Sequence, residues 1–281
     1  MKKFFAILAI IGIGGLLMNS CEKVNVVDEK TATEQPKVSN DWHSLGCEFL
    51  SAVDYAKIPV AKVPKGTLRA AVSIAVPPVG DQGGEGSCVA WGTTYAARSI
   101  DWQALHNASW SQSVNIFSPE YVYNQIKAKR SCASGSYVTR GLDLLKSQGV
   151  CTWSSMPYTD LKCTTMPTTA QKTAAANYKI SGYSTVAINT TAIKGFLTAG
   201  KPVIVAGSVN MAFEYLANGA VLSTFTGSSL GGHCYCVVGY DDTKGAFKFM
   251  NSWGTSWASS GFGWIKYGYE STWWTEAYVI N

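Results

Sequence analysis

The chain has 281 residues, 15% of them charged and 12% aromatic, with a formal net charge of +5. That balance excludes a disordered chain over most of the length and is enough for one large domain or two small lobes around a sizeable core. The sequence contains no Lys/Arg-rich run that could track a phosphate backbone, so nucleic acid is not an expected partner.

Lys2 and Lys3 precede an uninterrupted apolar stretch, Phe4 to Met18, shorter than the roughly 20 residues of a spanning helix and of the form of an export signal. The stretch runs into Met18-Asn19-Ser20-Cys21. A small residue before a cysteine, behind a leucine-rich segment, resembles the lipobox of bacterial lipoproteins, although Leu17 lies one place early and Asn19 is atypical. The resemblance implies a lipoprotein signal peptide over 1–20, acylation of Cys21, and a place in the bacterial cell envelope, lipid-anchored on an outer-membrane, periplasmic or surface face. The alternative is an ordinary secretory peptide and a secreted protein. Loss of the leader removes two lysines and leaves about +3.

Residues 21–57 form a tether and lead-in. The part to about residue 40 is polar and unpatterned. The part from Asp41 carries Trp42, Leu45, Phe49, Leu50 and Tyr55, more apolar than a tether requires; it is either a small plug or mini pro-segment over 41–57 or a lead-in with no such role. Val63-Pro64 to Pro77-Pro78 is expected to be extended, because its prolines stop helices. A glycine-rich turn follows over Gly80 to Gly86.

From Ser87, a good helix cap, the apolar positions of Val89, Ala90, Tyr95, Ala96, Ala97, Ile100 and Leu105 predict a buried helix to about His106. Ser118-Pro119-Glu120 starts a second helix, with serine as cap, proline in the first turn and an acid near the positive end. Further helices are expected over about 137–147, closed by Gly149, over about 167–177, and over 191–198, capped by Gly200. Short apolar runs at 202–209, 234–240, 247–251, 263–267 and 277–280, with turns such as Asp241-Asp242 and Lys244-Gly245 between them, predict strands. Helices first and strands second argue for an α+β protein with a helical lobe at about 80–180 and a β lobe at about 181–281 joined by an N-terminal strand.

Eight cysteines suit an oxidising compartment. Cys132, Cys151 and Cys163 cluster, so at least one local bridge is expected there. Cys234 and Cys236 would share one face of a strand and not bridge each other. No ligand pairs at zinc-site spacing accompany them, so neither a metal nor another cofactor is expected.

Cys88, at the first turn of a helix, is placed against the positive end of the macrodipole, which favours thiolate. Three histidines are available as its base. His43 lies in the lead-in, outside the expected folded core. His106 is 18 residues further along the same helix, roughly 27 Å away. His233 remains. Asn251 can accept the N–H of its second ring nitrogen and fix its tautomer, and Trp253 can cover that bond. The tetrahedral intermediate of acyl transfer needs oxyanion donors, which the Cys88 backbone N–H and the Gln82 side-chain amide can supply.

Gln82 six residues before Cys88, then His233, then Asn251-Ser252-Trp253-Gly254, resembles the papain-like cysteine peptidases, as does the gap of 145 residues from cysteine to histidine. Val238-Gly239-Tyr240, Lys248-Phe249-Met250 and Gly261-Phe262-Gly263-Trp264-Ile265 add to the match, which covers roughly 63–281 within a peptidase domain at 58–281. The resemblance implies a two-lobe fold, helical on the left and an antiparallel β-barrel-like lobe on the right, with the cleft between. It implies Cys88 as nucleophile, His233 as acid and base, Asn251 as orienting residue and Gln82 as oxyanion donor. A peptide or protein substrate would bind extended near Gly135 and Ser136, with Cys234 and Trp253 also lining its path, to a monomeric enzyme. The family's Cys-Gly-Ser-Cys-Trp stands here as Glu85-Gly86-Ser87-Cys88-Val89, so one familiar disulfide cannot form. The expected function is a cysteine endopeptidase working through a covalent acyl-enzyme. An exopeptidase, a transpeptidase or a cell-wall amidase with the same site, or a non-catalytic surface-binding lipoprotein on the same fold, are the alternatives.

Overall fold

The computed structural model describes residues 43–281; the expected signal peptide, Cys21, the tether and Trp42 lie outside the described residues. No helix among the described residues is long and apolar enough to cross a membrane.

The first half of the domain is helical, organised around one central helix. This helix starts as an α-turn at Cys88–Ala90, winds as a π-helix over Trp91–Arg98 and returns to α over Ser99–His106, closing on Asn107 in the left-handed region at φ 44°. Sequence periodicity predicts the span but not the change of winding. The Thr93 hydroxyl donates to the Val89 carbonyl at 2.7 Å and Ser99 donates to that of Thr94 at 3.4 Å, so side-chain hydroxyls compete with the regular ladder. Every residue from Cys88 to Asp101 is buried.

Helices Pro119–Ile126 and Val138–Ser147 pack around it. Ser118 caps the first, its hydroxyl accepting the Tyr121 N–H at 3.0 Å, and Gly149 closes the second at φ 84°. The Thr169–Ala175 helix opens with a capping box between Thr168 and Gln171. Ser87 departs from expectation. It makes no capping bond, and its hydroxyl pairs with the Tyr158 hydroxyl at 2.8 Å. Cys132 and Cys163 form a disulfide; Cys151, Cys234 and Cys236 are free and buried.

The second half is a seven-stranded sheet. Strands β4 (Tyr183–Thr185), β9 (Glu276–Ile280), β5 (Val203–Val209), β6 (Gly231–Asp241), β7 (Ala246–Met250) and β8 (Phe262–Lys266) lie in that spatial order, each antiparallel to the next. Strand β2 (Ala71–Ser73) pairs with the far end of β6. The sheet runs open from β4 to β8, a correction to the barrel-like form that the resemblance implies. Strands β5, β6 and β9 are buried on both faces, so they read as continuous apolar runs, not as alternating ones. Cys234, Cys236 and Val238 face the helices, while Tyr235 and Val237 enter a second core rich in Phe213, Phe249, Trp253 and Trp257.

Gly207 in β5 shows how closely that sheet is covered. A Cβ there would lie 1.8 Å from the Trp273 carbonyl oxygen, a backbone atom that cannot swing aside. Gly207→Ala is expected to destabilise the domain by about 1–3 kcal/mol through overpacking, read as a lowered urea midpoint at unchanged m-value. An unshifted midpoint would show that the sheet is less constrained than this contact implies.

Candidate active site

The helical and β halves meet where the central helix crosses β6. At Gly92 the approach is so close that a Cβ would sit 2.8 Å from the Cys234 sulfur. Cys88 lies one turn before Gly92, and His233 one residue before Cys234, so the crossing brings both to the seam.

His233 is fully buried, and its Nε2 lies 2.7 Å from Asn251 Oδ1. An amide oxygen only accepts, so Nε2 carries the proton and Nδ1 holds the free lone pair. Nδ1 is buried with no hydrogen-bond partner, leaving it available to take a proton. Asn251 Oδ1 also accepts the Ser252 N–H at 2.9 Å, which fixes the amide orientation. The Trp253 ring stacks on the imidazole with centroids 4.6 Å apart, and Phe213 meets it edge-on at 5.8 Å. Orientation and exclusion of water are thus both supplied.

Gln82 is held at both ends of its amide. Ser252 Oγ donates to Oε1 at 2.7 Å, which sets Nε2 toward the cleft. Nε2 donates to the Glu85 carbonyl at 2.9 Å and, also at 2.9 Å, to the carbonyl of Ser44.

The second acceptor belongs to the lead-in, which threads the cleft. The Gly46 carbonyl accepts from Ser136 N at 2.8 Å, and β1 (Cys47–Glu48) pairs in parallel with β3 (Ser136–Tyr137). Contact is at backbone distance: a Cβ on Gly46 would lie 2.0 Å from the Gly86 oxygen, and one on Gly232 would lie 2.1 Å from that of Cys47. Leu50 N donates to Glu276 Oε1 at 2.6 Å. Upstream, His43 stacks on Trp253 at 4.3 Å, and its Nδ1 donates to Glu214 Oε1 at 2.7 Å. The expectation that His43 lies outside the folded core is therefore corrected. Gly135 and Ser136 lie against the lead-in's own backbone, Trp253 lies under His43, and Cys234 backs the seam. His106 lies on the exposed end of the central helix, its Nδ1 donating to the Trp102 carbonyl at 2.8 Å.

With the lead-in seated, Cys88 has no exposed surface, and burial pushes its thiol up to about 11; the backbone N–H groups of Cys234 and Gly46 favour the thiolate but are outweighed. Burial pushes His233 down to about 4, against the opposing help of Asn251 and Glu214. The pair is therefore thiol and neutral imidazole in the closed cleft, not the thiolate expected from the helix terminus alone. The dipole acts over a short range, and here it meets a fully buried site.

Sequence reasoning missed Ser252, Tyr158, Ser44, Phe213 and Glu214. Ser252 stands inside the Asn-Ser-Trp-Gly stretch and was open to notice. Tyr158 comes from a loop and Phe213 from the short helix Met211–Glu214, and nothing in the sequence links either to residues 82–88 or 233.

The geometry places a buried thiol and an oriented imidazole at one seam, faced by a peptide backbone. The model of the papain family cysteine proteases matches residues 65–280, and the chain belongs to that family; it is a papain-like cysteine peptidase. It is 28% identical to "Cathepsin B-like CP3" of Giardia intestinalis over 233 residues, 76% of each chain. To "Cysteine endopeptidase Rep1" of Oryza sativa it is 29% identical over 193 residues, 67% of this chain and 49% of that protein. Among solved structures, xylellain, a cysteine protease from Xylella fastidiosa, superposes with a TM-score of 0.72 at 25% identity, covering 85% of this chain and 97% of the other.

The shifted pair makes closure pH-dependent. A hydrated imidazole titrates near about 6.5, whereas the closed cleft holds His233 at about 4. As pH falls through that window an opened form binds a proton that the closed form refuses, so closure weakens. Glu276, raised by burial, favours closure in acid and offsets part of this. Protection of the Gly46 and Leu50 amides against hydrogen exchange, corrected for intrinsic rates, is expected to fall by about tenfold between pH 7 and pH 4.5. Protection that holds or rises would contradict the assignment to His233.

Proposed function

We propose that this peptidase cleaves internal bonds of extended peptides through Cys88, His233, Asn251 and Gln82, and that residues 43–50 keep it closed until they are displaced. The observation that carries this reading is the Ser44 carbonyl, 2.9 Å from Gln82 Nε2, the distance an oxyanion donor needs. Residues 44–50 lie in the cleft as part of a continuous chain and not as a chain terminus, and this supports an endopeptidase over an exopeptidase.

Once the segment leaves, water enters and the thiol can ionise. His233 Nδ1 takes the Cys88 proton, and the sulfur attacks the substrate carbonyl carbon, forming the C–S bond. Gln82 Nε2 and the Cys88 N–H hold the oxyanion. Collapse breaks the C–N bond as His233 protonates the leaving amine. A water, deprotonated by the same imidazole, then displaces the thiolate from the acyl group. Asn251 keeps the ring oriented through both proton transfers.

A fluorogenic peptide library assayed on the full chain tests this reading. Gly46→Ala, which drives a Cβ into the Gly86 carbonyl, is expected to raise hydrolysis by about tenfold or more by unseating the segment. In that background Cys88→Ala abolishes turnover, and Gln82→Ala lowers kcat about 10²-fold with little change in KM. Turnover surviving Cys88→Ala would reject the mechanism, and Gly46→Ala without effect would reject the plug. Transfer to an added amine in place of water would favour a transpeptidase.

Export and acylation of Cys21 complete the proposal, supported by the apolar Phe4–Met18 stretch and the Ser20-Cys21 junction. Labelled palmitate should enter the protein in a bacterial host and be lost in Cys21→Ala; equal labelling of both would point to another site.

A further inference from the structure

Behind the oxyanion loop lies a buried acid that the mechanism above does not use. Glu85 has no exposed surface and stands where the resemblance leads one to expect a cysteine. Its Oε2 is 3.0 Å from the Tyr158 hydroxyl, while its Oε1 is buried without a hydrogen-bond partner. Its nearest sulfur neighbours, Cys132 and Cys163, are consumed in their disulfide, so the three cannot serve as metal ligands.

The Tyr158 oxygen has three partners: Gln82 O at 2.7 Å, Ser87 Oγ at 2.8 Å and Glu85 Oε2 at 3.0 Å. A phenol has one hydrogen and two lone pairs. The Gln82 carbonyl can only accept, so it takes the phenolic hydrogen. The other two contacts then require donors, which Ser87 supplies with its hydroxyl and Glu85 only as a carboxylic acid. If Glu85 is ionised, one phenolic hydrogen must serve two acceptors, and a charged oxygen is left buried with no side-chain donor.

Resting on the cysteine-peptidase reading, we infer that Glu85 is a positioning residue that works in its protonated form, donating to Tyr158 so that Tyr158 can clamp the Gln82 carbonyl and hold the oxyanion donor in place. On ionisation Tyr158 turns to the carboxylate, and the clamp on Gln82 is released.

The surroundings agree. Burial is the main cause raising the Glu85 carboxyl to about 7, helped by Glu120 and Asp160, against the Tyr158 hydroxyl and the Cys163 N–H. Tyr123 and Lys127 are the remaining titratable groups that feel it. The Tyr123 hydroxyl lies 2.5 and 2.8 Å from the Cys132 and Ser134 carbonyls, which share its hydrogen, and Lys127 is engaged with the Asn124 and Cys163 carbonyls at 2.9 and 2.6 Å. Neither pairs with the Glu85 carboxyl.

The test uses the full chain opened by Gly46→Ala. Its kcat is expected to fall about tenfold from pH 6 to pH 8.5, with a midpoint near 7. Glu85→Gln, whose amide donates at every pH, should stay within about twofold of the parent at pH 6 and lose that alkaline limb. Tyr158→Phe should be low throughout. Infrared spectra give an activity-independent readout: a protonated-carboxyl band at pH 6 that vanishes in Glu85→Gln. An unchanged alkaline limb in Glu85→Gln, or no such band, overturns the inference while leaving Cys88 chemistry intact. If no variant hydrolyses any peptide, the peptidase reading itself fails, and the infrared band still reports on Glu85.

Discussion

The whole site depends on how closely the central helix lies against β6. Side chains normally hold packed helices about 8–10 Å apart and packed sheets about 10 Å apart. Here a glycine, Gly92, faces the Cys234 sulfur with no room for even one carbon between them. Any larger residue at Gly92 would push the helix or Cys234 aside. The π-wound stretch falls at the same place, widening the helix where it presses on the strand, as such bulges often do beside functional groups.

A single four-residue stretch then organises much of the rest. Asn251 fixes the tautomer of His233, Ser252 fixes the rotation of the Gln82 amide and Trp253 roofs the imidazole. Gly254, at φ 69°, turns the chain so that its N–H reaches the Gly80 carbonyl at 3.0 Å. His233 and Gln82 lie far apart in the sequence yet are held by adjacent residues, so neither can drift without the other. Such shared support is what keeps reacting groups within the tolerance that proximity requires.

The helices and strands were legible because their signals are local: Ser118-Pro119-Glu120 at a start, Gly149 and Gly200 at ends, apolar runs between Asp and Gly turns. His233 could be chosen by elimination because the chain offers few histidines. What was not legible depends on long-range packing. Ser87 looks like a helix cap, but Tyr158, distant in sequence, takes its hydroxyl. His43 looks like a polar lead-in residue, but Trp253 offers a flat apolar face that the imidazole covers. Glu85 stands in a glycine-rich loop, and only the tertiary fold shows that it is buried. The thiolate expected at Cys88 fails for the same reason, since the helix terminus was visible and the occupant of the cleft was not.

The lead-in is joined to the body it covers, which alters how any added molecule meets the cleft. A competitor in solution acts at its own concentration, whereas the tethered strand acts at a fixed local concentration that dilution cannot lower. A compound able to enter only when the strand is out binds with an apparent dissociation constant equal to its intrinsic value divided by the fraction of time the strand is out. Inhibitors ranked on the intact chain would therefore all look weak by a common factor, and their true order of strength would still be preserved.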